Sequence, residues 1–210
     1  MPLQKINGFA PLPDSSIKQK EKIKMQEIRF HGRGGQGTVL ASVVLAKAFF
    51  TDGLYVQTFP VFGVERRGAP VEAYLRLDDK KILIRSNVYK PDHVVVQDVK
   101  LLHTLDVSRG LKPGGWILLN MPDFPPDISA RFSDYRLAAV DASGIAMHHK
   151  LGTRTQPIIN TAMCGAFAGI MGKPSLNALE KAVFQEIPVK QKENFEAAKA
   201  AYESVKYRAE

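Results

Sequence analysis

An α/β protein is predicted, a three-layer sandwich built on a mostly parallel sheet, with an antiparallel hairpin and a C-terminal helical segment. Three observations carry this. A short alternating strand runs directly into a glycine turn and an apolar helix; two later apolar runs have the length and uniformity of strands buried on both faces; and the last part of the chain is patterned as helix.

Residues 1–24 read as an N-terminal extension, an arm or linker. Pro2, Pro11 and Pro13 stand with Asp14, Ser15 and Ser16, and five lysines face Asp14 and Glu21. A tail without fixed structure and a strap over a neighbouring subunit are both open on this composition. From Gln26 the pattern changes. Ile28 and Phe30 alternate with Glu27, Arg29 and His31 as a strand, the run Gly32-Arg33-Gly34-Gly35-Gln36-Gly37 turns the chain, and residues 38–50 form an apolar helix ended by Asp52-Gly53. Tyr55-Val56-Gln57-Thr58-Phe59 supplies the next strand, which begins a Rossmann-like β-α-β unit and implies parallel pairing.

A loop with two adjacent arginines follows, Phe62-Gly63-Val64-Glu65-Arg66-Arg67-Gly68-Ala69-Pro70. Beyond it Val71-Glu72-Ala73-Tyr74-Leu75-Arg76-Leu77 alternates, Asp78-Asp79 turns, and Lys81-Ile82-Leu83-Ile84-Arg85 is expected to return as the second strand of the antiparallel hairpin. Val94-Val95-Val96 and Trp116-Ile117-Leu118-Leu119-Asn120 are the central strands, with a helix expected over 101–107 between them. Residues 121–126 read as proline-rich loop and 136–142 as the last strand. Three helices close the chain, over 157–171, over 175–186 with Ser175 as N-cap, and over 190–206. Residues 25–210 are therefore expected to form a single domain with a helical part at 157–210.

Composition narrows the function. The 210 residues are 45% hydrophobic and 24% charged, enough for one sizeable core. No apolar run has the roughly 18 residues of a membrane-spanning helix and the first residues lack a secretory signal, so a soluble, cytoplasmic protein without a membrane span is expected. With one cysteine, Cys164, the chain forms no internal disulfide and cannot hold an iron–sulfur cluster alone; the five histidines show no ligand spacing, and no metal site is expected. Cys164 lies in an apolar helix as a core residue. The net charge of +8 suits an anionic ligand or an acidic partner. No nucleic-acid partner is expected, since basic runs are not interleaved with stacking aromatics.

Gly32-x-Gly34-x-x-Gly37 has the spacing in which glycines make a tight turn, let the backbone approach a phosphate and pack helix on strand. The helix dipole would then face an anion. A dinucleotide needs, in addition, an acid at the end of the second strand. Here Gln57-Thr58-Phe59-Pro60 stands instead, which removes most support for NAD, while Arg66 and Arg67 keep NADP or another phosphorylated adenosine carrier open, beside an interface or surface ion-pair role. Asp98 and Asp141, after apolar strands, suit helix caps better than site residues. No nucleophile elbow or acid/base pair is present.

Four separated runs, Arg29 to Gly37 through the glycine turn, Phe62 to Pro70 through the paired arginines, Val94-Val95-Val96-Gln97-Asp98, and Asn160-Thr161-Ala162, resemble in this order the gamma subunit of 2-oxoacid:ferredoxin (acceptor) oxidoreductases. The resemblance covers about residues 26–186 and leaves the arm outside. It implies a multisubunit enzyme that oxidatively decarboxylates a 2-oxoacid to an acyl-CoA, with alpha, beta and ferredoxin-like delta siblings and ferredoxin or another electron acceptor. Thiamine diphosphate, magnesium and 4Fe-4S clusters would sit on partner subunits. This chain, not catalytic alone, would help to bind coenzyme A (CoA) and close the active site. Carried over by position, the binding residues would be Gly32, Gly34, Gly35, Gln36, Gly37, Thr38, Arg66, Arg67 and Asn160, with no catalytic residue. A stand-alone NADP-linked reductase and a purely structural assembly subunit are the competing readings. The identity of the 2-oxoacid is not written in the sequence.

Overall fold

The computed structural model describes residues 24–61 and 68–208. The chain runs β1 (Gln26–Arg33), α1 (Thr38–Thr51), β2 (Tyr55–Val61), β3 (Pro70–Asp78), β4 (His93–Val96), a 3-10 turn (Val99–His103), β5 (Trp116–Asn120), α2 (Pro126–Arg131), β6 (Arg136–Val140), α3 (Ala142–His148), α4 (Asn160–Met171), α5 (Leu176–Glu186), α6 (Gln191–Ser204) and β7 (Lys206–Tyr207). The strands make one sheet in the order β2-β3-β1-β4-β5-β6-β7. Strands β1, β4, β5 and β6 are mutually parallel neighbours, whereas β3 pairs antiparallel with both β1 and β2, and β7 antiparallel with β6.

The hairpin forms, but from other segments than expected. Tyr55–Val61 pairs with β3, so β2 runs in the direction of β1 without touching it, and β3 lies between them. Residues 81–85 take no strand conformation. Both edges of β3 are already occupied, so this alternating run has no ladder to join, and Leu83 and Ile84 stand 77% and 45% exposed. The helix expected over 101–107 is the 3-10 turn Val99–His103, started by the Asp98 carboxylate accepting the Lys100 N–H at 2.9 Å. The short elements α2, α3 and β7 add to the expected list.

Alternation divides the core between the two faces of the sheet. Ile28, Phe30, Val95, Leu118 and Ala138 pack under α1, α4, α5 and α6, while Val94, Val96, Ile117, Leu119 and Leu137 face the 3-10 turn and Phe132. Helix α1 buries Ala41, Val44, Leu45, Ala48 and Phe49, spaced at three and four residues so that one stripe meets the sheet. Ser175 caps α5 as expected, its hydroxyl accepting the Ala178 N–H at 3.2 Å, and donates to Asp52 at 2.9 Å, tying the end of α1 to the start of α5. Cys164 is fully buried and its thiol, 3.3 Å from the Ala41 carbonyl oxygen, is pushed upward in pKa by that burial. Among the described residues no helix is long and apolar enough to cross a membrane.

Two buried histidines tie the sheet to pH. Arg29 Nε donates to His31 Nε2 at 3.0 Å, which leaves the imidazole proton on Nδ1, 3.4 Å from a Glu72 carboxylate oxygen. Burial, and then the Arg29 charge, push His31 down to about 3. His93 accepts the Trp116 N–H through Nδ1 at 3.2 Å, and burial pushes it down to about 4. An unfolded chain protonates both below about 6.5 and the folded chain does not, so stability is present above that pH and is lost as pH falls toward 4. Urea unfolding at pH 6.5 and 5.5 is expected to show a loss of about 1 kcal/mol for each histidine over that unit. A His93→Gln variant should lose about half of the slope; an unchanged slope would mean that His93 titrates normally in the fold.

Candidate functional site

The sheet places its chemistry where chain direction reverses. From β1 the chain crosses through α1 to β2 on one side, whereas β4 leads to β5 and β6 on the other, so a crevice opens between the carboxyl ends of β1 and β4. An open cleft of about 700 Å³ lies there. Its walls are Arg33 to Gln36 after β1, Gln97 to Lys100 after β4, Asn120 at the end of β5, Ser143 in α3, and the segment before α4.

Local geometry explains the glycines. Gly37 has φ 72°, a left-handed conformation that halts the turn and starts α1, and a Cβ there would come within 2.7 Å of the Asn160 amide nitrogen. At Gly32 a Cβ would run into the Thr38 hydroxyl and the Gln97 amide oxygen. Because Gly37 packs on Asn160, the starts of α1 and α4 meet at the same end of the sheet. Neither helix has a side-chain cap at its N-cap position or an acid in its first turn, so neither places a carboxylate of its own on its positive dipole end.

The polar groups around the loop are arranged in order. Arg33 N–H donates to Gln36 Oε1 at 2.8 Å, and Arg33 Nε donates to Asp98 at 2.7 Å, closing the turn on the strand after it. Gly34 and the 68–69 segment exchange backbone bonds, Gly34 N–H to the Ala69 carbonyl at 2.9 Å and Gly68 N–H to the Gly34 carbonyl at 3.1 Å. Thr38 Oγ1 donates to Gln97 Oε1 at 2.6 Å; Asn120 donates to the Gln97 carbonyl at 2.9 Å and to the Ser143 hydroxyl at 3.1 Å. A polar strip thus crosses the carboxyl ends of four neighbouring strands.

Of the residues selected from sequence, Gly34, Gly35 and Gln36 line the cleft. Gly32, Gly37, Thr38 and Asn160 stand immediately behind it; Thr38 is committed to Gln97, and Asn160, 2% exposed, accepts the Thr161 N–H. Arg66 and Arg67 lie outside the described residues, as does the arm up to residue 23, while Gly68 lines the cleft. Asp98 and Asp141 serve as caps, the latter accepting the Gly144 N–H at 2.8 Å. Gln97, Lys100, Asn120 and Ser143 were not legible as site residues, although Gln97 and Asn120 each end an apolar strand, the position at which a parallel sheet presents polar groups to a ligand.

A crevice of this kind, with a glycine loop and two helix starts at the carboxyl ends of parallel strands and no acid within β2, has the geometry of an α/β protein whose loop amides and helix dipoles favour an anion. Comparison supplies the family. Residues 27–204 match the family described as Pyruvate ferredoxin/flavodoxin oxidoreductase. Pyruvate synthase subunit PorC of Methanocaldococcus jannaschii is 49% identical over 85% of this chain and 96% of its own. The pyruvate/ketoisovalerate oxidoreductases common subunit gamma of Thermococcus kodakarensis is 50% identical over 76% and 85%. Among solved structures, the pyruvate oxidoreductase subunit PORC of Thermotoga maritima superposes with a TM-score of 0.76 at 34% identity, covering 89% of this chain and all of that one. The same fold occurs in 2-oxoglutarate:ferredoxin oxidoreductase from Magnetococcus marinus, solved with 2-oxoglutarate, coenzyme A and succinyl-CoA, at a TM-score of 0.70 and 22% identity over 89% of this chain and 32% of that one. The chain belongs to the pyruvate ferredoxin/flavodoxin oxidoreductase family, as a gamma-type subunit of a 2-oxoacid:ferredoxin oxidoreductase.

Proposed function

We propose that this subunit holds the phosphate-bearing part of CoA in the cleft at the carboxyl ends of β1 and β4, within a complex whose sibling subunits carry thiamine diphosphate, magnesium and 4Fe-4S clusters and pass electrons to ferredoxin. The observation that carries the reading is the uncapped start of α1 above the glycine loop, in an open cleft beside a strand β2 that contains no acid. Backbone amides and a helix dipole serve an anion of any shape. CoA adds several phosphate charges and makes no demand for the strand-two acid.

The residues present fit that group. Gly34, Gly35 and Gln36 form the floor on which a phosphate can approach backbone, and Lys100 adds a cation on the opposite wall. Arg66 and Arg67, carried by the loop that ends at Gly68, are assigned to the same phosphates from their place in the sequence. Bound there, CoA supplies the thiol that accepts the acyl group. The chain contributes binding energy, orientation and a wall between the cleft and bulk water. Pyruvate is the first 2-oxoacid to test, because relatives about half identical are subunits of pyruvate enzymes.

The complex should be purified anaerobically through this chain from its native host and assayed for CoA-dependent oxidation of a panel of 2-oxoacids beginning with pyruvate. Arg66→Ala and Arg67→Ala are each expected to raise the KM for CoA by about tenfold, the worth of one charge-assisted phosphate contact, with a smaller effect on CoA-independent decarboxylation. A chain that purifies alone and turns over NADPH by itself would replace this reading with the stand-alone reductase. Variants that assemble poorly but bind CoA normally would leave the subunit a structural role.

A further inference from the structure

Among the described residues of the cleft wall, Gln97 has a buried side-chain donor without a partner. Its backbone is fixed on both sides, N–H to the His31 carbonyl at 2.8 Å and C=O to Asn120 Nδ2 at 2.9 Å. The side chain is 1% exposed, and Thr38 Oγ1 holds its Oε1 at 2.6 Å. Nε2 is buried and has no partner. A buried amide donor left unpaired is costly, and such groups in native proteins point to a missing partner.

Three features of the surroundings say what that partner is. Gln97 lines the cleft beside the start of α1, a 14-residue helix with no capping side chain and no acid in its first turn, so the local field favours an anion. The carboxylate that lines the cleft next to Gln97 in the chain, Asp98, is engaged by Arg33 Nε at 2.7 Å and by Gln36 Nε2 at 3.4 Å, which offsets its charge. Gly32 carries no side chain, and any Cβ there would collide with the Thr38 and Gln97 groups that form the couple.

We propose that Gln97 donates through Nε2 to a phosphate oxygen of the diphosphate in the CoA bound at this cleft, and that Thr38 is the positioning residue that holds the carboxamide by Oε1 and leaves Nε2 for the ligand. The assignment rests on the CoA reading above and adds a second strand-end donor to the glycine loop. Phosphate is read from both sides of the crevice, by backbone after β1 and by a side chain after β4.

The test uses the assembled complex with three acyl acceptors: CoA, 3′-dephospho-CoA and pantetheine, which lacks the diphosphate. Gln97→Glu places an oxygen where the donor was, and Gln97→Met removes the donor without charge. Each is expected to raise KM for CoA and 3′-dephospho-CoA by about tenfold or more, Glu above Met, while KM for pantetheine moves less than twofold. Thr38→Val should show the same split in smaller size, and Thr38→Ser, which keeps the hydroxyl, should restore the wild-type values. Complexes are compared for assembly by gel filtration; where Gln97→Glu fails to assemble, Gln97→Met and the Thr38 pair decide.

Unchanged KM for CoA in the Gln97 variants, with Arg66→Ala and Arg67→Ala still effective, overturns the role of Gln97 and leaves the CoA reading standing. No effect in either set overturns both. A parallel rise for pantetheine shows that the side chain does not read phosphate and overturns the assignment to the diphosphate.

Discussion

Gly165→Ala is expected to destabilise the subunit by about 3 kcal/mol, against an intrinsic helix preference that favours alanine by about 1 kcal/mol. Helices α4 and α6 pack here with the Gly165 backbone against that of Ala198. A Cβ on Gly165 would overlap the Ala198 carbonyl oxygen and lie 2.5 Å from its carbon and 2.8 Å from Ala198 Cα. All three are backbone atoms, so no rotamer change relieves the clash. Helix α6 must move outward as a body, opening gaps around Ala197, Ala198 and Ala201, each fully buried. Gly169→Ala, whose Cβ would stand 2.8 Å from the Tyr202 carbonyl oxygen and 3.2 Å from Val205 Cγ1, meets a milder conflict, and a smaller loss is expected. Urea unfolding of the two variants beside wild type checks the order. A neutral or stabilising Gly165→Ala would mean that the helices are not in contact there.

The elements that were legible in the sequence are those whose environment is uniform along their length. Val94-Val95-Val96 and the run from Trp116 to Leu119 are buried on both faces, and such strands announce themselves as continuous apolar runs whatever their neighbours. The glycine turn was legible for a different reason: positive φ at Gly37 and the close approach at Gly32 each restrict the residue to glycine locally. Pairing was less accessible. Residues 81–85 alternate as a strand should, yet β3 has no free edge to offer them, a fact about sheet order that no five-residue window contains. Short elements such as α2, at six residues, lie near the length at which local pattern fails to separate helix from loop. In the site, the glycines were found because a motif fixes their spacing. Gln97, Asn120 and Ser143 share no motif; they come together only because β4, β5 and β6 end at one level, and the register that aligns them is set by the sheet.

Removing the Glu27 side chain should cost more than any surface ion pair of this protein, about 3 to 5 kcal/mol, because it strands a buried charge. Arg76 is 1% exposed, and its Nε donates to Glu27 Oε1 at 2.8 Å. Its other two nitrogens are engaged as well, NH1 to Gln57 Oε1 at 3.0 Å and NH2 to the Ser86 and Asn87 carbonyls at 2.7 and 3.3 Å. One guanidinium thus ties β1, β3, β2 and the exposed segment after β3, and it lies over the Phe59 ring at 5.3 Å. In Glu27→Ala the three neutral acceptors remain but no counter-charge does. The backbone is held in register regardless, since Glu27 and Asp92 still exchange Glu27 N–H to Asp92 Oδ2 at 2.8 Å and Asp92 N–H to the Glu27 carbonyl at 2.7 Å, so the loss reports the ion pair and not a local unravelling. Glu27→Gln, which keeps an acceptor without the charge, should fall between wild type and Glu27→Ala. A double variant, Glu27→Leu with Arg76→Met, is expected to lose less than the two single changes added together, because burying neither charge is cheaper than burying one alone. Urea unfolding of the four proteins at about 0.1 M and 1 M salt measures the coupling, and burial should make it nearly independent of salt. Additive losses in that cycle, or a loss that salt abolishes, would place Arg76 among the screened surface charges and remove it as the clamp of the hairpin.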